Sequence, residues 1–265
     1  MADVLFYKVI AVLLGLIFGS FMNVLIYRIP RGISIVTPSS FCPVCKKPIS
    51  WYSNIPVVSF IVQRGRCAEC GEAISWFYPL VEILTALLFL LIYLYYGVTL
   101  LTVKYCFMTF MLLTAGFIDL TTKLDKENFE CGIIPEGFTV GLVFCGFLWA
   151  LFTPPGFYAA LAGSGAGMFM LLIPAYFYKL FTKIEGMGGA DPLFMAGTGA
   201  FLGHESILFV VTLSAVIGVL VGIIVIVSTK DRRYMLPYGP MIAGAAVIYL
   251  FTGESVMTLL NVYTF

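Results

Sequence analysis

Ser206 to Ser228 reads SILFVVTLSAVIGVLVGIIVIVS, 23 consecutive residues without a charged side chain. A helix of that length rises about 35 Å, enough to cross a hydrocarbon core of about 30 Å. Similar blocks recur along the chain. Val4 to Ile26 forms the first, others lie at 79–96, 99–118, 133–152 and 157–178, and weaker ones occupy 193–203 and 239–251. The 265-residue chain is 61% hydrophobic and 11% charged, against about 45–50% and 25% in soluble domains. An ordinary soluble enzyme is excluded. The expectation is an all-α polytopic membrane protein with about eight transmembrane helices and one large polar loop.

The formal charge of +1 points to no nucleic-acid partner, but its distribution orients the chain. Short cytoplasmic loops collect Lys and Arg. With the amino terminus outside, the inner loops hold Arg28, Arg31, Lys46, Lys47, Arg64, Arg66, Lys123, Lys126, Lys179, Lys183, Lys230, Arg232 and Arg233, thirteen of the fifteen basic residues. Omitting the 193–203 segment as a crossing would put the Lys230, Arg232, Arg233 cluster outside. The first block lacks the cationic start and cleavage site of a removable signal and is read as a retained helix. No internal repeat is read from the chain.

Residues 28–78 form the only sizeable non-membrane module. Within it, Cys42-Pro43-Val44-Cys45 and Cys67-Ala68-Glu69-Cys70 are two C-x-x-C pairs separated by 21 residues. Two such knuckles place four thiolates around one ion, which indicates structural zinc on Cys42, Cys45, Cys67 and Cys70. The competing reading, two disulfides, is disfavoured in a reducing compartment. Four thiolates leave no open position for catalytic water. Cys106 and Cys145 lie within apolar blocks, Cys131 has no evident partner, and the single histidine, His204, excludes chemistry needing two.

Carboxylates at membrane depth mark functional candidates. Three stand out: Glu82, Asp119 and Asp191. Glu82 is expected to satisfy a polar partner within the helix bundle, in the neighbourhood of the cysteine loop. Taken alone, Asp119 reads as an interfacial acid at a helix end, and Asp191, followed by Pro192, as a helix N-cap. Taken together, and with no G-x-S-x-G elbow around any serine, two acids on one face suggest a shared-proton dyad that activates water. Gly188 and Gly189 beside Asp191 would let a substrate backbone approach closely. A transporter using the acids as an ion relay is the alternative, and it is disfavoured because no chain of acids crosses the bilayer.

These residues resemble the prepilin peptidases, the type IV leader peptidase family. The resemblance rests on Gly19-Ser20-Phe21-Met22-Asn23-Val24-Leu25-Ile26-Tyr27-Arg28-Ile29-Pro30, the cysteine pairs with Ile49-Ser50-Trp51-Tyr52-Ser53-Asn54-Ile55-Pro56 between them, and Tyr78-Pro79-Leu80-Val81-Glu82. It continues through Phe117-Ile118-Asp119, Gly188-Gly189-Ala190-Asp191 and Leu236-Pro237-Tyr238-Gly239-Pro240. It implies a bacterial inner-membrane aspartic endopeptidase with Asp119 and Asp191 catalytic. Such an enzyme cuts the basic leader from prepilins and pseudopilins at the cytoplasmic face, then N-methylates the new terminus using S-adenosylmethionine. The division implied is a first transmembrane helix at 1–27, a cytoplasmic zinc-binding module at 28–78 and a peptidase domain at 79–265.

The chain departs from the family pattern at Ala190, which replaces the second glycine of G-x-G-D, at Leu193, and in a longer loop from Leu120 to Gly132. Ala190 would impair the site if its φ had to be positive. Helix ends suggest that Asp191, at a helix start, is the ionised base and Asp119, at a helix end, its protonated partner. Asp125, Glu127, Glu130 and Glu136 supply an acidic surface expected to attract a basic leader. The alternative is a solvated loop balanced by Lys123 and Lys126.

Overall fold

The computed structural model describes residues 2–129, 131–183, 187–230 and 236–262. Among these the protein is helical apart from two isolated bridges. Its helices are α1 (Ala2–Arg28), α2 (Val58–Val62), α3 (Phe77–Tyr96), α4 (Leu100–Leu124), α5 (Glu136–Ala150), α6 (Phe157–Thr182), α7 (Asp191–Leu202), α8 (Glu205–Thr229) and α9 (Gly239–Val262). Each of the eight apolar blocks carries one helix. Among the described residues five of these, α1, α3, α4, α6 and α8, are long and apolar enough to cross a membrane. The chain is therefore a multi-pass membrane protein. Arg232, Arg233, Glu130 and Gly186 lie outside the described residues.

The chain divides into two compact units, Met1–Phe110 and Met111–Phe265. In the first, α1 and α3 meet backbone to backbone. A Cβ on Gly19 would stand 2.7 Å from Cα of Glu82, and one on Gly15 would collide with Cα of Ala86. A Gly-x-x-x-Gly spacing keeps these two positions on one helix face, so the approach is a property of the sequence. Asn23 Nδ2 donates to the carbonyl of Tyr78 at 3.0 Å and fastens the end of α1 to the beginning of α3. Leu5, Val9, Leu13 and Ile17 form a second, exposed stripe suited to lipid.

In the second unit α7 is the central element. It is 12 residues long, about 18 Å at 1.5 Å per residue, and every residue in it but Leu193 is buried. Small residues permit this. A Cβ on Gly163 would collide with the carbonyl of Gly199, one on Gly167 would come within 2.8 Å of the Met195 carbonyl, and one on Gly146 within 2.6 Å of Cβ of Ala200. The 193–203 block was a weak span signal because this helix is short and enclosed by α5 and α6, not bathed in lipid. By contrast α8 is almost wholly outward-facing, with Leu220, Ile223, Ile224 and Val227 exposed. Its partners on that side are apolar by necessity.

Candidate active site and metal centre

Asp119 and Asp191 both lie in the second unit and are both 95% buried. They are within electrostatic range of each other. Asp119 is presented from inside α4, which continues five residues further to Leu124, so it is not at a helix end. The loop that follows α4 is turned back on it. Thr122 Oγ1 donates to the carbonyl of Ile118 at 2.7 Å and accepts the N–H of Ile133 at 3.0 Å. That pin sets Gly132 directly against the acid: a Cβ there would collide with Oδ1 of Asp119. On the other carboxylate oxygen, the N–H of Gly239 donates to Oδ2 at 3.0 Å. Gly239 is the first residue of α9, so its N–H has no partner within that helix.

Asp191 opens α7. Its N–H donates to the carbonyl of Gly188 at 3.2 Å, closing a tight turn, and the backbone N–H of Gly188 is in turn directed at its carboxylate. A Cβ on Gly188 would stand 3.0 Å from Oδ2 of Asp191, whereas Gly189 faces open space. The N-cap reading of Asp191 does not hold. Ala190 occupies the cap position, Asp191 is the first helical residue, and no side chain caps the helix. Ala190 has φ −84° and ψ −20°, ordinary right-handed backbone, so its Cβ introduces no strain.

Helix ends do not separate the two acids. Asp119 sits at the start of α9 through Gly239, and Asp191 at the start of α7. Both carboxylates face the positive end of a helix dipole, which does not distinguish base from acid. Sequence reasoning missed Gly132 and Gly239 as shapers of the site. The latter stood in the Leu236–Pro240 motif, and Gly followed by Pro at a helix start was the available signal. Tyr238 was missed as well. Its hydroxyl pairs with Ser214 Oγ at 2.7 Å, and Asp191 lies within electrostatic reach.

Of the acidic loop, Asp125 is half-buried and accepts two bonds from Asn128 Nδ2 at 2.8 and 3.1 Å. Glu127 and Glu136 are exposed, and Glu136 opens α5.

The cysteine module lies in the first unit. The four Sγ atoms of Cys42, Cys45, Cys67 and Cys70 all lie within 4.8 Å of one another, with Cys42 and Cys70 at 3.9 Å. A tetrahedral zinc with Zn–S bonds of about 2.3 Å requires S···S edges of about 3.8 Å. The cluster fits a metal ion. Each knuckle is built by the same hydrogen bonds. Cys42 N–H donates to the Lys47 carbonyl and Lys46 N–H to that of Cys42, at 3.0 and 2.9 Å; Cys67 N–H donates to the Glu72 carbonyl and Gly71 N–H to that of Cys67, at 2.8 and 2.9 Å. Lys46 and Gly71 both take positive φ, 60° and 73°.

These matched bonds correct the reading that the chain holds no repeat. Ile49-Ser50-Trp51-Tyr52 follows the first knuckle and Ile74-Ser75-Trp76-Phe77 the second, with Ile, Ser and Trp recurring 25 positions later and Phe77 standing in the place of Tyr52. So short a unit is hard to see against two C-x-x-C pairs whose intervening residues differ. Lys47 Nζ bonds Glu69 Oε2 at 2.9 Å, joining one knuckle to the other. The N–H groups of Cys70 and Glu69 lower the Cys67 thiol to about 7, which favours a thiolate ready for a cation.

Beside this centre is a cavity of about 700 Å³, whose lining includes Ser20, Asn23, Tyr27, Phe41, Tyr78 and Glu82. Glu82 has the polar partner expected of it: Oε2 accepts the N–H of Val57, in the cysteine module, at 2.8 Å.

The chain is similar to known proteins over most of its length. Residues 13–96 match the bacterial peptidase A24 N-terminal domain and residues 106–223 the type IV leader peptidase family. A prepilin leader peptidase/N-methyltransferase from Neisseria gonorrhoeae is 32% identical, over 95% of this chain and 93% of its own. Proteins of the same name from Aeromonas hydrophila and Myxococcus xanthus are 33% and 37% identical, over 92% and 84% of this chain and 90% and 64% of theirs. No solved structure matches it significantly. Two family models that together cover most of its length, and relatives aligned almost end to end, show that the chain belongs to the type IV leader peptidase family.

Proposed function

We propose that the protein is a bacterial inner-membrane aspartic endopeptidase that removes the basic leader from prepilins or pseudopilins, with Asp119 and Asp191 as its catalytic pair. The observation that carries this reading is the pairing of two buried carboxylates, each approached by a glycine. One carboxylate takes a proton from water as the other, protonated, polarises the scissile carbonyl. Gly188 and Gly132 set bare backbone against the acids, where a Cβ would meet a carboxylate oxygen, and Gly189, facing open space, leaves room for an extended substrate backbone. Gly189, Asp125, Glu127, Glu130 and Glu136 complete the proposed substrate-binding set, the acids attracting the leader's positive charge.

The chain's second activity is N-methylation of the exposed terminus with S-adenosylmethionine, as the relatives' name suggests. A cavity of about 700 Å³ falls within the usual 300–1,000 Å³ of small-molecule sites. Tyr27, Phe41 and Tyr78 offer aromatic surface for a purine. The metal at the four cysteines is zinc in a structural role, since thiolates fill its coordination sphere. The orientation has the amino terminus outside, eight crossings, and the cysteine module and aspartates on the cytoplasmic side. The functional division is 1–27, 28–78 and 79–265.

The test incubates purified protein in detergent with a synthetic prepilin and S-adenosylmethionine, reading products by mass spectrometry. Loss of the leader with gain of one methyl is expected. An intact substrate overturns the peptidase reading, and a cleaved but unmethylated product overturns the transferase reading. In a companion measurement Ser53→Trp, placed in the cavity wall, is expected to weaken binding of S-adenosylhomocysteine at least tenfold. Unchanged affinity would remove the cavity as its site.

A further inference from the structure

Glu82 is a buried carboxylate on the wall of the first unit's cavity, and the peptidase chemistry has no use for it. It lies in the second turn of α3, a membrane-spanning helix. Three polar groups converge on it. The N–H of Val57 donates to Oε2 at 2.8 Å, and the side chains of Ser20 and Asn23 stand within hydrogen-bonding reach from α1. The close contact of Gly19 with Cα of Glu82 brings these α1 residues to it.

The Val57 bond is unusual in what it sustains. Val57 has φ 60° and ψ −46°, a conformation that a β-branched residue adopts only against steric resistance. Strain of this kind persists where surrounding structure enforces it, and it gathers at functional sites. The N–H of this strained residue is taken up by Glu82. Oε2 is occupied by Val57, while the carboxylate borders a cavity large enough for a small molecule and the end of a peptide.

We infer that Glu82 binds the α-amino group of the cleaved substrate in this cavity and acts as the general base that prepares it for methylation. The inference rests on the transferase reading above. An α-amino group has an ordinary pKa of about 7.7–8.0 and is mostly ammonium at neutral pH, without the lone pair that attack requires. Glu82 accepts its proton. The freed lone pair forms the N–C bond to the methyl of a sulfonium donor as the S–C bond breaks. The sulfur leaves as a neutral thioether and the nitrogen carries the positive charge as a methylammonium. Glu82 returns its proton to water once the product departs.

The test uses a peptide that already begins at the mature terminus, so cleavage plays no part. Glu82→Gln keeps an oxygen for the Val57 N–H but cannot accept a proton. It is expected to bind S-adenosylhomocysteine within twofold of wild type by calorimetry, and to melt at the same temperature. Its methylation of the peptide is expected to fall about 100-fold at pH 6.5, in the range general bases contribute. The deficit then narrows by up to about tenfold per pH unit below the amine's pKa and levels off above about pH 8, leaving it about 15- to 25-fold smaller at pH 8.5 than at pH 6.5, as the amine deprotonates unaided. Methylation within threefold of wild type at pH 6.5 overturns the inference. So does a deficit that stays constant with pH, which would mark a structural role, and so does loss of S-adenosylhomocysteine binding. If Glu82→Gln does not fold, Glu82→Asp decides, because a shortened base must lower the rate while keeping the wild-type pH profile. A wild-type protein that never methylates the peptide overturns the transferase reading and this inference with it.

Discussion

The N–H of Gly239 donates to Oδ2 of Asp119 at 3.0 Å, joining residues 120 positions apart and setting the first turn of α9 against a buried acid of α4. On the other side, a Cβ at Gly132 would collide with Oδ1 of the same carboxylate. Asp119 is thus held between two bare stretches of backbone, one a donor and one a steric limit.

Asp119→Asn and Asp191→Asn are each expected to lower kcat for prepilin cleavage by at least about 10³, because a dyad needs both members. Two acids in electrostatic contact titrate as a pair, so the wild-type rate should fall at both acid and alkaline pH. Retention of cleavage in one variant alone would dismiss the dyad. The measurement is leader release followed by mass spectrometry across pH.

Gly132→Ala places a methyl group where Oδ1 of Asp119 now lies, so the carboxylate or the loop must move. An expected loss of about 100-fold in kcat, with unchanged methylation of a pre-cleaved peptide, would reflect the sensitivity of catalysis to displacements of about 1 Å. Unimpaired cleavage would show that the loop over Asp119 yields freely. Gly239→Ala, whose Cβ would stand 3.0 Å from Oδ2, is expected to be milder.

Neutralising the exposed acids, as in Glu127→Gln with Glu136→Gln, is expected to raise KM for a basic-leader peptide severalfold at low salt while kcat stays level. Exposed charges are screened within about 10 Å at 0.1 M salt, so the difference should vanish as salt rises. Steady-state kinetics at two ionic strengths checks this, and a KM that is unchanged at both would leave a merely solvated loop.

One zinc per chain is expected, lost in Cys42→Ser or Cys67→Ser, with residues 40–77 becoming protease-sensitive. The pH dependence has a definite sign. Cys67 is lowered to about 7, whereas Cys70, although aided by the Glu72 N–H, is raised to about 12 by desolvation and by its neighbouring thiols. Binding must therefore release protons, and apparent zinc affinity should fall as pH drops through 7. Competition with a chromophoric chelator from pH 8 to 6 measures it, and a flat profile would argue against thiolate ligation.

The membrane class, the eight helical blocks and the four clustered cysteines were legible in the sequence because each rests on local chemistry. A run such as Ser206 to Ser228 has no soluble alternative, and a C-x-x-C pair holds two thiols close whatever surrounds it. Asp119 and Asp191 were legible as individual residues, since ionisable groups at membrane depth are rare. Their surroundings were not. Which backbone N–H meets Asp119, whether α4 ends there, and whether Ala190 takes positive φ depend on contacts between α4, α7 and α9, segments far apart in the chain. Glu82 makes the same point: its apolar helix is legible in the sequence, but its bond to the N–H of Val57 and the approach of Ser20 and Asn23 from α1 arise only in the packed chain. Local preference determined the elements and the reactive groups, and close packing of small residues decided which of those groups face one another.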